Sequence, residues 1–338
     1  MRPSSGASGG RYGAVGASGA LVAEIEPRSP YRLPRRRWPD GVARTRGGVY
    51  ERFLHVRGCP VLIRAWELPR EGKVAIAAMP MPPRWLEGDV GDDCADRAVL
   101  EQAIDRARNA LGVDDDLSEF HARFKRDALI GPLIRRMPHL RPRRSAHAWE
   151  ALAWAVTEQL IESERAHAIQ RRIIGRWGTR ARLPRVRRPL RDVPGPEVIA
   201  RVAPAELAAL DLAPKRALAL IKVAREVAAG RCDPTSPDAD RRLGRISEIG
   251  PWTLQCLGLH GRGDLDSLPA GDLAYVKLVP RLTGMDRRAT VAEVEEFYAR
   301  FAPYRGIAGL LTLSGLGRRV GDGRPLRYHP ASPELEAA

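Results

Sequence analysis

Apolar positions along the chain fall into two regimes. Between residues 21 and 79, short runs rich in Val, Leu and Ile (21–26, 49–56, 61–68 and 74–79) are separated by Gly or Pro turns, a pattern that predicts the strands of an antiparallel sheet. From Asp96 to Leu111 the spacing becomes helical. Ala98, Leu100, Ala103, Ala107 and Leu111 form one stripe, suited to packing on a face of that sheet. After Leu117 the pattern stays helical almost to the end, with breaks at Pro, Gly and Ser. Helices are predicted over 118–127, 146–158, 163–177, 196–202, 204–210, 214–229, 238–245, 251–259, 272–283, 291–301 and 307–316. Several begin on Pro, whose missing N–H would be unpaired in a first turn anyway. The expected fold class is therefore α+β: an N-terminal antiparallel sheet with a packed helix over 20–113, then an all-α domain over 114–317. Residues 1–19, mostly Gly, Ser and Ala, read as a disordered tail and 318–338 as an extension. The stretch 32–46, with Arg35, Arg36 and Arg37 in a row, reads as a loop.

Size and composition are consistent with this division, since 338 residues with 44% hydrophobic content suffice for two or three subdomains. The first twenty residues contain no apolar core of an export signal, and no run is long and apolar enough to span a bilayer. The expected location is the cytoplasm, on the nucleoid in a bacterium. Cys59, Cys94, Cys232 and Cys256 are far apart without a CxxC pair, so free thiols and no metal site are expected. Charge changes the picture more. A formal +15 points to a polyanionic partner, nucleic acid first. Only five of the 56 basic residues are Lys, a bias that base composition explains in part, but base composition does not account for the excess over 41 acids.

The most informative stretch is ISEIGPWTLQCLGL, residues 246–259, between two helical segments. It reads as a helix-hairpin-helix, whose tight turn and helix start aim backbone N–H groups at a DNA phosphate without reading sequence. Ile249, Gly250 and Thr253 are the candidate contacts; an ordinary αα-corner is the plainer reading. Twenty-two residues after Gly250, the loop Leu268-Pro269-Ala270-Gly271-Asp272 ends in a carboxylate at a helix start.

Hairpin, Gly/Pro-rich loop and Asp in this order resemble the helix-hairpin-helix DNA glycosylase superfamily, and within it the DNA-3-methyladenine glycosylase II family, over most of residues 20–317. The resemblance implies a monofunctional enzyme that flips an alkylated base from duplex DNA and hydrolyses its N-glycosidic bond. Asp272 would be the catalytic carboxylate, stabilising an oxocarbenium-like sugar or orienting water; its plainer role is a helix N-cap. Leu160 matches the wedge that fills the gap left by the flipped base, or else is a buried helix-end Leu, and Gln159 would contact the opposite strand. Trp252 matches a base-pocket aromatic suited to a cationic base, or else is core. Tyr275 and Tyr304 are further pocket candidates, while Cys256 and Leu313 stand where, by the resemblance, the best-known enzyme of the family has pocket aromatics. Arg143 and Arg144, with Arg135, Arg136, Arg141 and nine Arg between 171 and 191, are candidate phosphate contacts.

Residues 251–260 contain no Lys, so no lyase step is expected. No Cys follows Cys256, so no iron–sulfur cluster is expected, nor any other cofactor. The expected partner is double-stranded DNA containing alkylated bases, met by a monomer. Glu248 departs from the pattern by placing a carboxylate where the hairpin's central Gly usually stands. Two other readings remain: a catalytically impaired protein that binds damaged or distorted duplex, and a glycosylase for another purine lesion, such as deaminated purines.

Overall fold

The computed structural model describes residues 11–12, 19–35, 38–87, 96–183 and 189–316. Six antiparallel strands, β1 (Arg11–Tyr12), β2 (Leu21–Ile25), β3 (Ala43–Arg46), β4 (Val49–Val56), β5 (Cys59–Leu68) and β6 (Lys73–Pro80), form a sheet in the order β1-β2-β6-β5-β4-β3. Helix α1 (Arg97–Leu111) starts on the Asp96 side chain, which accepts from the Ala98 N–H at 3.0 Å, and lays Leu100, Ala103, Ile104 and Ala107 against the sheet. The opposite face is covered as well. Phe53 and Leu62 pack with Ala181, Leu183 and Leu190, from a small three-stranded sheet of β7 (Leu86–Glu87), β8 (Arg180–Ala181) and β9 (Leu190–Arg191). Burial on both faces explains why these strands read as nearly continuous apolar runs.

The helices that follow are α2 (Ser118–Phe124), α3 (Gly131–Arg136), α4 (Ala148–Glu158), α5 (Ser163–Trp177), α6 (Pro196–Ile199), α7 (Pro204–Ala208), α8 (Pro214–Ala228), α9 (Ala239–Leu243), α10 (Pro251–Leu257), α11 (Leu273–Thr283), α12 (Val291–Ala299) and α13 (Arg305–Leu316). A single π-helical turn, Gly258–Arg262, extends α10. Their packing does not break at residue 113. One continuous core joins the sheet and α1 to α4–α10, and a second unites α2 and α3 with α11–α13. The loop 263–272 passes from the first body to the second.

Several elements differ from expectation. Ala43–Arg46, read as loop, is an edge strand that lacks apolar alternation because it needs none at an edge; it pairs with β4 across Gly47-Gly48, both at positive φ. Arg11–Tyr12 lies in the segment read as disordered yet pairs with β2, and the Tyr12 hydroxyl donates to Asp105 at 2.7 Å. The six-residue α3 and the two-residue strands of the small sheet are too short for periodicity to show. The expected C-terminal extension lies outside the described residues, as does Cys94; Cys232 and Cys256 are free thiols.

Buried charges fasten the sheet to the helices. Arg52 of β4, 1% exposed, forks onto Glu150 of α4 at 3.1 and 2.6 Å, and Asp192 accepts from the backbone N–H and Nδ1 of His55. Burial pushes the Glu150 carboxyl up while the Arg52 fork pulls it down; the bidentate geometry is that of an ion pair. Trp154 Nε1 donates to Asp40 at 3.2 Å, closing the loop 38–40 onto α4.

Candidate active site

The hairpin is built as expected, with α9 and α10 joined through residues 244–250. Gly250 is extended (φ −101°, ψ −178°), and a Cβ there would meet nothing within 4 Å. The protein's own packing therefore does not call for glycine, whereas close approach of another chain would. Glu248 holds φ +73°, the left-handed conformation that favours glycine, so the turn is kept at a cost of roughly 1–2 kcal/mol. Ile249 is 4% exposed and its N–H is spent on the Ile246 carbonyl at 3.0 Å; it anchors the turn from inside. Thr253 is buried too, and its Oγ1 accepts from Gln159 Nε2 at 2.9 Å.

Gln159 thereby ties the α4–α5 turn to the hairpin, since the same Nε2 also donates to the Glu248 carbonyl at 2.6 Å. On the other side, Arg216 donates to the Gln159 carbonyl at 2.6 Å. Between these anchors Leu160 stands at φ +53° and is 99% exposed. A fully hydrated Leu in a left-handed turn forgoes about 1.5–3 kcal/mol of burial besides the backbone cost. Folding gains nothing from this arrangement, and strain of this kind clusters at functional positions in proteins generally.

Asp272 is the N-cap of α11, its Oδ1 accepting from the Ala274 N–H at 2.8 Å; no described residue hydrogen-bonds Oδ2. Capping and catalysis thus make no competing demand on the side chain. Trp252 is half-buried with its Cβ and Cδ1 beside Gly271, next in sequence to Asp272. A cavity of about 760 Å³, within the range of small-molecule sites, opens between residues 32–35 and 38–40, the segment 137–145, α4 and α10. Trp154, Glu158, Cys256, His260, Arg143 and Leu310 line it. Neither Asp272 nor Trp252 lines this cavity; the carboxylate reaches it only through its charge, which acts on Cys256, Glu158 and His260 in the walls.

Burial favours the neutral form of three groups in the walls. Burial pushes the Cys256 thiol well up, with Glu158 and Asp272 adding to the effect, so the thiol is unreactive. Burial pushes the Glu158 carboxyl up and the His260 imidazole down. His260 Nδ1–H donates to the Arg143 carbonyl at 2.8 Å, which leaves Nε2 as the acceptor nitrogen.

Other candidates fall elsewhere. Tyr275 is 3% exposed, edge-on to Tyr298 at 5.6 Å in the second core, and burial pushes its phenol well up. Tyr304 packs on Phe120 at 5.3 Å, and Leu313 belongs to the same core; neither lines the cavity, to which α13 contributes Leu310 and Ser314 instead. One residue of register on α13 separates Leu313 from Ser314, beyond what spacing resolves. Arg144 is 5% exposed and forked onto Asp115 at 2.9 and 2.8 Å, so it holds the loop rather than facing solvent, while Arg143 is exposed at the cavity. Residue patterns did not single out Glu158, Gln170, His260 or Arg216. For Arg216 a signal existed: Lys215 and Arg216 occupy the first turn of α8, where the helix dipole disfavours cations. Among the described residues no group of three or more His, Cys, Asp or Glu is placed to hold a metal ion, and no helix is long and apolar enough to cross a membrane.

Residues 153–303 match the model of the HhH-GPD superfamily base excision DNA repair proteins. The chain carries a domain of this superfamily, the class of the helix-hairpin-helix DNA glycosylases. It is similar to a DNA-3-methyladenine glycosylase of Bacillus subtilis, 24% identical over 214 residues that cover 62% of this chain and 70% of the relative. It is also similar to a probable bifunctional transcriptional activator/DNA repair enzyme of Mycobacterium tuberculosis, 25% identical over 279 residues and 79% of this chain, which spans half the length of that protein. The fold is that of a 3-methyladenine DNA glycosylase from Archaeoglobus fulgidus, with a TM-score of 0.70 at 20% identity, covering 88% of this chain and 99% of the other.

Proposed function

We propose that this protein is a monofunctional DNA glycosylase that extrudes alkylated bases of the 3-methyladenine type from duplex DNA and hydrolyses their N-glycosidic bond. The observation that carries this reading is Leu160: a bare apolar side chain, fixed between the Gln159 and Arg216 anchors beside the hairpin and two residues from Glu158 in the cavity wall. The hairpin grips the phosphate backbone at Gly250 and Leu160 enters the stack, offsetting part of the stacking lost on extrusion. The flipped base enters the cavity, and Asp272 faces the sugar. Because Oδ1 is anchored by the Ala274 N–H, Oδ2 is presented in a fixed position. There it stabilises the cationic sugar as the C1′–N bond breaks and orients the water that adds to C1′. An alkylated purine already carries positive charge and leaves as a neutral base. No Lys stands at 251–260 to form a Schiff base, which supports hydrolysis without strand cleavage.

Release of free 3-methyladenine and 7-methylguanine from alkylated duplex, followed chromatographically, tests the assignment. Wild type releases both, and Asp272→Asn is slower by about a hundredfold or more. Equal rates would remove Asp272 from the mechanism. Tight binding to damaged duplex without release by either protein would favour the non-catalytic binding reading.

A further inference from the structure

We propose that Glu158 is the acid that protonates the departing base, extending excision from alkylated, already cationic purines to uncharged ones. This rests on the glycosylase reading above. Glu158 is the last residue of α4, two before Leu160, and its side chain forms part of the cavity wall that would receive the flipped base. Its Oε1 accepts from Gln170 Nε2 at 2.9 Å, and Gln170, 1% exposed, is held in turn by Thr157 Oγ1 at 3.1 Å. One oxygen is thus fixed, leaving Oε2 to carry a proton.

The surroundings of Glu158 suit an acid rather than an ion pair. In a chain with 56 basic residues, the buried or half-buried acids Glu51, Glu150, Asp115 and Asp192 each have an Arg or His at salt-bridge distance, while buried Asp40 is satisfied by the Val42 N–H and the Trp154 indole instead. Glu158 has no Arg or His at that distance among the described residues. The groups that face it are Gln170 and His167 from α5, Cys256 from α10, His260 from the π-helical turn, Asp40 from the loop 38–40 and Asp272 from the start of α11, with Arg143 lining the same cavity. Burial raises the Glu158 carboxyl, the Gln170 hydrogen bond opposes this by favouring the carboxylate, and the neighbouring carboxylates Asp40 and Asp272 add to the rise; the net direction is up.

The chemistry balances without a cofactor. As the C1′–N9 bond of an uncharged purine breaks, its electron pair stays on the base, which takes the proton of Glu158 at a ring nitrogen and leaves neutral. Water adds to C1′ and gives up a proton, and Glu158, now a carboxylate, is reprotonated from solvent. A cationic base needs no such proton.

The test compares release of hypoxanthine, uncharged, with release of 7-methylguanine, cationic, by wild type and Glu158→Gln. The variant should lose about a hundredfold on hypoxanthine and stay within roughly threefold on 7-methylguanine. In wild type, hypoxanthine release should fall as pH rises through the elevated titration of Glu158, without a matching fall for 7-methylguanine. Equal losses on both bases, no loss on either, or wild-type release of 7-methylguanine but not hypoxanthine would overturn the role of Glu158 and leave the glycosylase reading standing. Absence of both releases from wild type would remove that reading and this one with it. Should Glu158→Gln fail to fold, the wild-type profiles decide, and parallel profiles overturn the proposal.

Discussion

Leu160 and Glu248, two non-glycine residues in left-handed conformations, lie on either side of Gln159, whose Nε2 donates to the carbonyl of one and whose own carbonyl precedes the other. Their strain has different sources. Leu160 is exposed where the proposed wedge role would need it, whereas Glu248 occupies a turn position that glycine fills at no steric cost. Glu248→Gly should stabilise the protein by about 1 kcal/mol and tighten its binding to duplex DNA, because a carboxylate leaves the phosphate side of the hairpin. Thermal unfolding and a binding titration at fixed salt check both, and weaker binding would mean that Glu248 itself contacts the nucleic acid. At this scale the turn positions of Asp272 and Gly250 were legible from local residue chemistry, and Leu160 was named only through the family resemblance. Glu158 and Gln170 were not legible, because an acid and an amide 12 positions apart announce no partnership until α4 and α5 pack together.

Among the elements, β4 and α4 matter most to the site, because the Arg52–Glu150 fork sets the height of α4, which carries Trp154 and Glu158, over the sheet. Arg52→Met should destabilise the fold by about 3–5 kcal/mol, since it leaves a buried carboxylate without its partner. Adding Glu150→Leu should recover most of the loss, as chemical denaturation of the two variants would show; no recovery would mean the pair's hydrogen bonds, not its charges, carry the stability. The long strands and helices were legible from periodicity because each buries a regular face. The edge strand β3 was missed although its Gly47-Gly48 turn is a hairpin signal, and α3 and the two-residue strands β7–β9 gave none.

For the molecule as a whole, net charge overstates the cations that face outward, because Arg52, Arg108 and Arg144 are buried in ion pairs. The joint between sheet and helices also holds His147, whose Nε2 lies 3.2 Å from Arg106 Nη1; burial, with Arg106 adding to it, pushes this imidazole down to about 3. A base held below its unfolded value near 6.5 binds its proton less readily in the folded state. Its contribution to stability is therefore present above that value and is lost as pH falls from there toward about 3. Wild type should accordingly lose stability with acid more steeply than His147→Asn, as melting temperatures measured across this range would reveal. Parallel curves would place the acid sensitivity elsewhere.

The sequence by itself determined the order of elements, the hairpin and the carboxylate that follows it, because local periodicity and turn chemistry act over a few residues. Only the tertiary structure decided how the cores divide, which arginines are spent inside, and which side chains wall the cavity. Those outcomes depend on contacts between segments up to a hundred residues or more apart, such as Arg52 with Glu150 and Arg144 with Gly263, and one residue of helical register is enough to exchange a cavity wall for a core.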